Sequence, residues 1–411
     1  VFNTANGSNA LHNNTIGGGN TASGYQSLFS NVGGTSNTAA GFQSLRSNTI
    51  GNGNTATGVS ALFSNTVGNS NTANGNAALH SNTTGINNTA LGSQSLSSNI
   101  TGNFNTAAGF QSLFSNTVGE SNTAYGSFSL NENTTGIGNT ATGSGSLFSN
   151  TTGSVNTDIG DLALTGNLSG RSNTAAGVQS LFLNRTGDFN TAMGGNALSA
   201  TISSSNNTVV GFNAASDFNL GSDNTIIGAE ADANRDGLAN ATAIGAGAIV
   251  NASNKVRIGN GSVTVIEGQV PFTTPSDGRF KFNIKEDVKG LDFIMQLRPV
   301  TYQFDVNRFD QRWSDKSSER TSDIKLASYN EATAIRRTGF IAQEVEEAAM
   351  VTGYNFSGII KPKTEKEHYG LSYESFVVPL VKAMQEQQQM IEELKRENAD
   401  LLKRILSLEK K

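Results

Sequence analysis

The chain contains no cysteine, which excludes disulfides and thiolate metal sites and leaves packing and association to hold it together. Its three histidines, His12, His80 and His368, lie far apart and in no metal-ligand spacing. Neither a metal nor a cofactor is therefore expected. No apolar run is long enough to span a bilayer, and Val1-Phe2-Asn3 does not start a secretion signal, so no membrane insertion is expected. Charge is scarce in the first two thirds: residues 1–268 hold 6 Lys/Arg and 11 Asp/Glu, against 22 of each in residues 269–411. With a net charge of −5 and no basic cluster, nucleic acid is not an expected partner. The absence of an initiator Met suggests a fragment or processed product, with attachment to a fibre or particle through a missing N-terminus.

What the first part does contain is a repeat. Asn-Thr-Ala-x-Gly begins at Asn3, Asn20, Asn37, Asn54, Asn71, Asn88, Asn105, Asn122 and Asn139, always 17 residues apart, and altered copies keep the phase to Ala241. Fifteen copies run without an insertion, with glycine fifth in every one from Gly7 to Gly245. Leu holds the ninth position from Leu11 to Leu198, Asn the twelfth from Asn14 to Asn184, and Gly the fifteenth from Gly17 to Gly187.

Seventeen residues are too few for a helical hairpin but suit one coil of a parallel β-roll or β-solenoid, read here as two short strands and two turns. Ala and Leu become inward ladders, Asn and Thr polar ladders that bond to the next coil, and the glycines supply the turns. At about 4.8 Å per coil the array makes a rod of roughly 70 Å. The thin interior suggests a trimer in which Leu-Phe pairs such as Leu28-Phe29 and Leu113-Phe114 pack on neighbouring chains. Composition alone would permit disorder, but the unbroken phase opposes it. Ladders that close turns are preferred to an ice- or carbohydrate-binding array; Tyr25, Phe42, Phe110 and Tyr125 are candidate receptor contacts. The last copies, Asn224-Thr225-Ile226-Ile227-Gly228 and Ala241-Thr242-Ala243-Ile244-Gly245, resemble the head repeats of trimeric autotransporter adhesins, which implies a trimeric left-handed β-roll over about residues 1–260.

The fold expected is mainly β: a repeat shaft over residues 1–254, a neck over 255–271 with strands at Val256-Arg257-Ile258 and Val263-Thr264-Val265-Ile266, a module over 272–376, and a coiled coil over 377–411. In the module, Ile284 to Leu297 has helical spacing, Arg298 to Phe304 reads as a strand, and Asp305 to Glu331 as a loop or insertion. Thr338 to Val345 reads as a strand entering a helix, and Tyr369 to Tyr373 as a strand. With Val377 at position a, the core positions run Leu380, Met384, Gln387, Ile391, Leu394, Asn398, Leu401, Ile405 and Leu408, a trimerisation clamp in which Asn398 fixes register.

At the junction, Ser276 and Lys281 sit five residues apart, the minimal kit of a Ser-Lys nucleophilic dyad. Ser276-Asp277-Gly278-Arg279-Phe280-Lys281-Phe282-Asn283-Ile284, Leu297-Arg298-Pro299-Val300, Gly339-Phe340-Ile341-Ala342-Gln343-Glu344-Val345 and the terminal coiled coil resemble, in that order, the intramolecular chaperone auto-processing domain of endosialidase-type phage tail spikes. That resemblance, over about residues 272–411, implies an α+β chaperone domain that trimerises the fibre and then cuts itself off. It implies Ser276 as nucleophile, Lys281 as base, Pro275-Ser276 as the scissile bond, and Asp277, Arg279 and Asn283 as supporting residues. Phe280 stands where the family often has Leu.

The reading is a homotrimeric fibre of a phage or phage-like particle, bound to a cell-surface receptor or glycan and located on the particle. The alternative is a bacterial cell-surface adhesin with a non-cleaving chaperone. An enzyme acting on surface glycans would need paired carboxylates, of which Asp158 and Asp161 are the nearest pair.

Overall fold

The structure, a computed structural model, describes residues 2–313, 323–365 and 367–409. They form two compact units, Val1–Asn260 and Gly261–Lys411.

In the first unit each Thr-Ala-x triplet is a strand, from Thr4–Asn6 onward, and the strands build one 16-stranded sheet that ends on Val256–Ile258. Pairing is parallel and offset by one repeat, so Thr38 faces Thr55 and Ala39 faces Ala56. Within a triplet the middle Ala turns inward while its neighbours face out. The Ala ladder meets the Leu ladder from the far side of the coil, and from Ala22 and Leu28 onward both are buried within one chain. The unit is a β-solenoid of about fifteen coils, as its period indicates.

The second strand expected in each coil is absent from most of the array. Only the last coils have one, where Asp232–Ala233 pairs with Ile249–Val250. Elsewhere the wall opposite the sheet is built of turns in which the buried Leu itself adopts left-handed backbone, with φ of 49° at Leu45 and 50° at Leu113. That conformation costs an L-residue about 1–2 kcal/mol. Coil-to-coil bonds offset it: Leu45 N–H donates to the Ala61 carbonyl and Leu113 N–H to that of Ser129. Leu113 is buried within its own chain and Phe114 only partly so, contrary to the expectation that Leu-Phe pairs face neighbouring chains together. The tenth-position rings stack along the solenoid instead: His12 lies on Phe29 at 5.2 Å, Arg46 between Phe29 and Phe63, and His80 on Phe63 at 5.1 Å.

Two buried Asn ladders lock the coils. Asn48 Nδ2 donates to Asn31 Oδ1 at 2.8 Å and to the Gly51 carbonyl at 3.0 Å. Asn54 N–H donates to Asn37 Oδ1 at 2.9 Å, and its side-chain amide to the Gly68 carbonyl. Each amide thus satisfies turn groups that burial would otherwise leave unpaired.

The second unit packs an aromatic core. Phe293, on the short helix α1 (Leu291–Ile294), is fully buried against Tyr354, Phe356 and Phe376. Of the Ile284 to Leu297 stretch only this turn is helical, and Ile284 is exposed. Strand Val300–Gln303 pairs antiparallel with Arg336–Gly339, and Ile359–Ile360 with Gly370–Leu371. The polar stretch read as a loop carries two helices, α2 (Val306–Trp313) and α3 (Asp323–Ala334), because Val306, Tyr329 and Ala332 bury one another. Helix α4 (Ala342–Val351) follows, and Val377–Leu408 forms the single long helix α5. The expected neck strand Val263–Ile266 does not form: alternation without a pairing edge leaves these residues outside any ladder and exposed. Among the described residues, no helix is long and apolar enough to cross a membrane.

Candidate functional site

Residues 263–287 are exposed throughout, and one turn gives this stretch local order. Asp277 caps the 3₁₀ turn Gly278–Phe280 by accepting the Arg279 backbone N–H at 2.9 Å. The Arg279 guanidinium closes on the same carboxylate, with Nε 2.9 Å from Oδ2. This pairing holds the Asp277 carboxyl below the usual carboxylate range and raises the guanidinium. The turn closes with Phe280 N–H on the Asp277 carbonyl and Lys281 N–H on that of Gly278. It folds Lys281 back over its start, where Nζ donates to Ser276 Oγ at 2.7 Å.

A five-residue spacing thus becomes a contact between hydroxyl and amine because a capped turn lies between them. Asp277 and Arg279 build that turn. Pro275 precedes the dyad in exposed chain. Asn283 adopts left-handed backbone, φ 55°, which Asn tolerates, and makes no hydrogen bond to Ser276 or Lys281. Phe272, Phe280, Phe282 and Ile284, around the dyad, are 77–85% exposed.

The other motifs meet in the folded unit. Arg298 forms an ion pair with Glu344, and the strand that Pro299 introduces pairs with the one ending at Gly339. Phe340 N–H donates to the Tyr373 hydroxyl at 3.0 Å. One tie had no local signal: Glu386 on α5 accepts the Leu291 N–H at 2.8 Å, across 95 residues, and a Cβ at Gly290 would come within 2.3 Å of that carboxylate. It fixes α1 to the long helix.

On α5 the positions expected to form a coiled-coil seam are uncovered: Ile391, Leu394, Leu401, Ile405 and Leu408 are 39–69% exposed, and Asn398 is exposed with them.

The carboxylates considered for glycan hydrolysis do not form a pair. Asp161 is exposed, while Asp158 replaces an inward Ala between Ala141 and Ala175 and is fully buried. Neither of its carboxylate oxygens has a hydrogen-bond partner. Burial pushes its carboxyl well above the usual range, and the nearby Leu147 and Ile159 backbone groups offset this only in part, without hydrogen-bond geometry. The unfolded chain therefore loses this proton near pH 4 while the folded chain keeps it, and stability falls as pH rises from there toward the folded value. Asp158→Ala restores the ladder and removes an unpaired buried group worth about 1–3 kcal/mol. Thermal unfolding followed by circular dichroism should show the variant melting a few degrees higher at pH 8, with a smaller gain at pH 4. Among the described residues no cluster of His, Cys, Asp and Glu is suited to a metal.

Residues 276–353 match the family model described as chaperone of endosialidase, and the match begins at the dyad serine. No curated protein matches the chain at a significant level. The C-terminal region is thus similar to the chaperone family that its motifs indicate, joined to a β-solenoid.

Proposed function

We propose that this chain is a homotrimeric, tail-fibre-like surface-recognition protein whose C-terminal unit is an intramolecular chaperone for trimerisation, released by autoproteolysis between Pro275 and Ser276. The observation that carries the proteolytic step is the 2.7 Å contact of Lys281 Nζ with Ser276 Oγ, at the first residue of the family match. Ser276 Oγ attacks the Pro275 carbonyl carbon as Lys281 takes the hydroxyl proton, and that proton passes to the departing Ser276 amide nitrogen. The acyl group then sits on Oγ as an ester, which water hydrolyses to a Pro275 carboxylate and a free Ser276. An ordinary lysine is protonated at neutral pH, so the amine acts as a base only where it is desolvated. Exposed apolar neighbours at Phe280 and Phe282 and the uncovered seam of α5 support desolvation by other copies of the chain.

The chaperone role has a physical rationale in the shaft. Identical 17-residue coils can pair in many near-equivalent registers, and a C-terminal clamp selects one. Losing the clamp afterwards leaves unfolding kinetically hindered. Intact mass under denaturing conditions tests the cut: wild type is expected to split into pieces ending at Pro275 and beginning at Ser276. Wild type remaining whole in assembled particles would remove the proteolytic step.

A further inference from the structure

The outward residue that ends each sheet triplet changes character along the solenoid. In the first coils it is Asn6, Ser23, Ala40, Thr57 and Asn74, in register. From the next strand the ladder reads Leu91, Ala108, Tyr125, Thr142, Ile159, Ala176 and Met193, then Val210, Ile227, Ile244 and Ile258 without a break. Its large members other than the half-buried Val210 are open to solvent, with Tyr125 at 48% and Ile159 at 54%.

We propose that this ridge, from Leu91 to Ile258, is the surface on which copies of this chain join along their shafts, and that the first five coils stay unjoined. The inference rests on the homotrimer reading above. Three features favour a second copy as the occupant. Residues that line the axis of a trimer meet their own counterparts, so a charge there would repel its copies; no outward position of these triplets is charged in any coil. Large and small residues alternate up to Met193, where the bulky Tyr125 and Met193 have smaller neighbours that leave room for converging copies, and beyond it the β-branched run Val210, Ile227, Ile244 and Ile258 forms a continuous apolar strip. Area contributes as well: a ladder roughly 50 Å long on strands roughly 10 Å wide offers about 500 Å² per chain, below the ~800 Å² per partner of a standard interface, to which the exposed seam of α5 adds. The polar ladder from Asn6 to Asn74 has none of this apolar surface, which leaves the same face of those coils free for other contacts.

The absence of native cysteine makes the test direct. Single cysteines are placed in the full chain carrying Ser276→Ala: Ile159→Cys and Ile244→Cys on the ridge, Ser23→Cys on its polar extension, and Thr152→Cys in an exposed turn. Ala108→Cys and Ala176→Cys serve as milder ridge variants should the Ile changes disturb folding. Each is treated with a short bis-maleimide and run under denaturing conditions, with light scattering of the untreated sample alongside. The ridge cysteines are expected to give covalent dimer at least five-fold above Thr152→Cys, and Ser23→Cys none above that control. Trimeric protein whose ridge cysteines link no better than Thr152→Cys overturns the inference while leaving the trimer intact, as does linking at Ser23→Cys equal to that at Ile244→Cys. A monomer by light scattering removes the trimer reading itself, and the inference with it.

Discussion

Ser276→Ala is expected to stop cleavage completely, leaving a 42.9 kDa chain under denaturing conditions where wild type gives two pieces. Lys281→Ala should do the same, because the hydroxyl is a weak nucleophile without a neighbouring base. Lys281→Arg separates basicity from charge: a guanidinium can still donate to Ser276 Oγ but does not deprotonate in a protein, so this variant should also remain whole. Asp277→Ala has a different expected outcome. Its carboxylate holds the turn rather than the reacting atoms, so cleavage should slow without being abolished, in time courses of freshly purified protein. A Lys281→Arg chain that cleaves at the wild-type rate would exclude the amine as base.

Gly109→Ala is expected to break the solenoid locally. Gly109 has φ of 143°, open only to glycine, and an added Cβ would lie 2.4 Å from the Gly126 carbonyl oxygen of the next coil. Backbone strain and overpacking cost about 1–3 kcal/mol each, so the unit should lose about 2–6 kcal/mol, seen as faster amide exchange in neighbouring coils and a lower melting temperature. Gly138→Ala is the control within the same array. Gly138 has φ of 67°, an added Cβ there would meet only Val155 Cγ2 at 4.0 Å, and its counterparts Phe104 and Val155 already hold that conformation with a side chain. Its substitution should cost only the left-handed backbone term, about 1–2 kcal/mol. Equal effects at the two sites would contradict the coil stacking described.

The 17-residue phase makes the coil, its inward Ala and Leu and its Asn ladders readable from the order of residues alone. The path of the opposite wall is not readable in the same way. A Leu at every ninth position looks the same whether it sits in a strand or in left-handed turns, since burial decides the residue type in both cases. The dyad is legible as a spacing, and Asp277 and Arg279 as motif members; that they cap and clamp the turn between Ser276 and Lys281 is a matter of backbone geometry. Helices α2 and α3 escape a local reading because α2 is short and the apolar residues of α3 are spread around its axis instead of gathered on one face, while Val306, Tyr329 and Ala332 find each other only in three dimensions. Glu386 against Gly290 lies beyond any local pattern. Val263 to Ile266 shows the opposite failure, a strand-like alternation with no partner to pair with.

The most direct test of the central claim is the molar mass of the full chain carrying Ser276→Ala, measured by light scattering in native buffer at micromolar concentration. A C-terminal unit that assembles the shaft predicts about three times the 42.9 kDa chain mass. A single-chain mass for well-folded protein would contradict it, because neither the seam of α5 nor the exposed dyad would then have a partner to cover it.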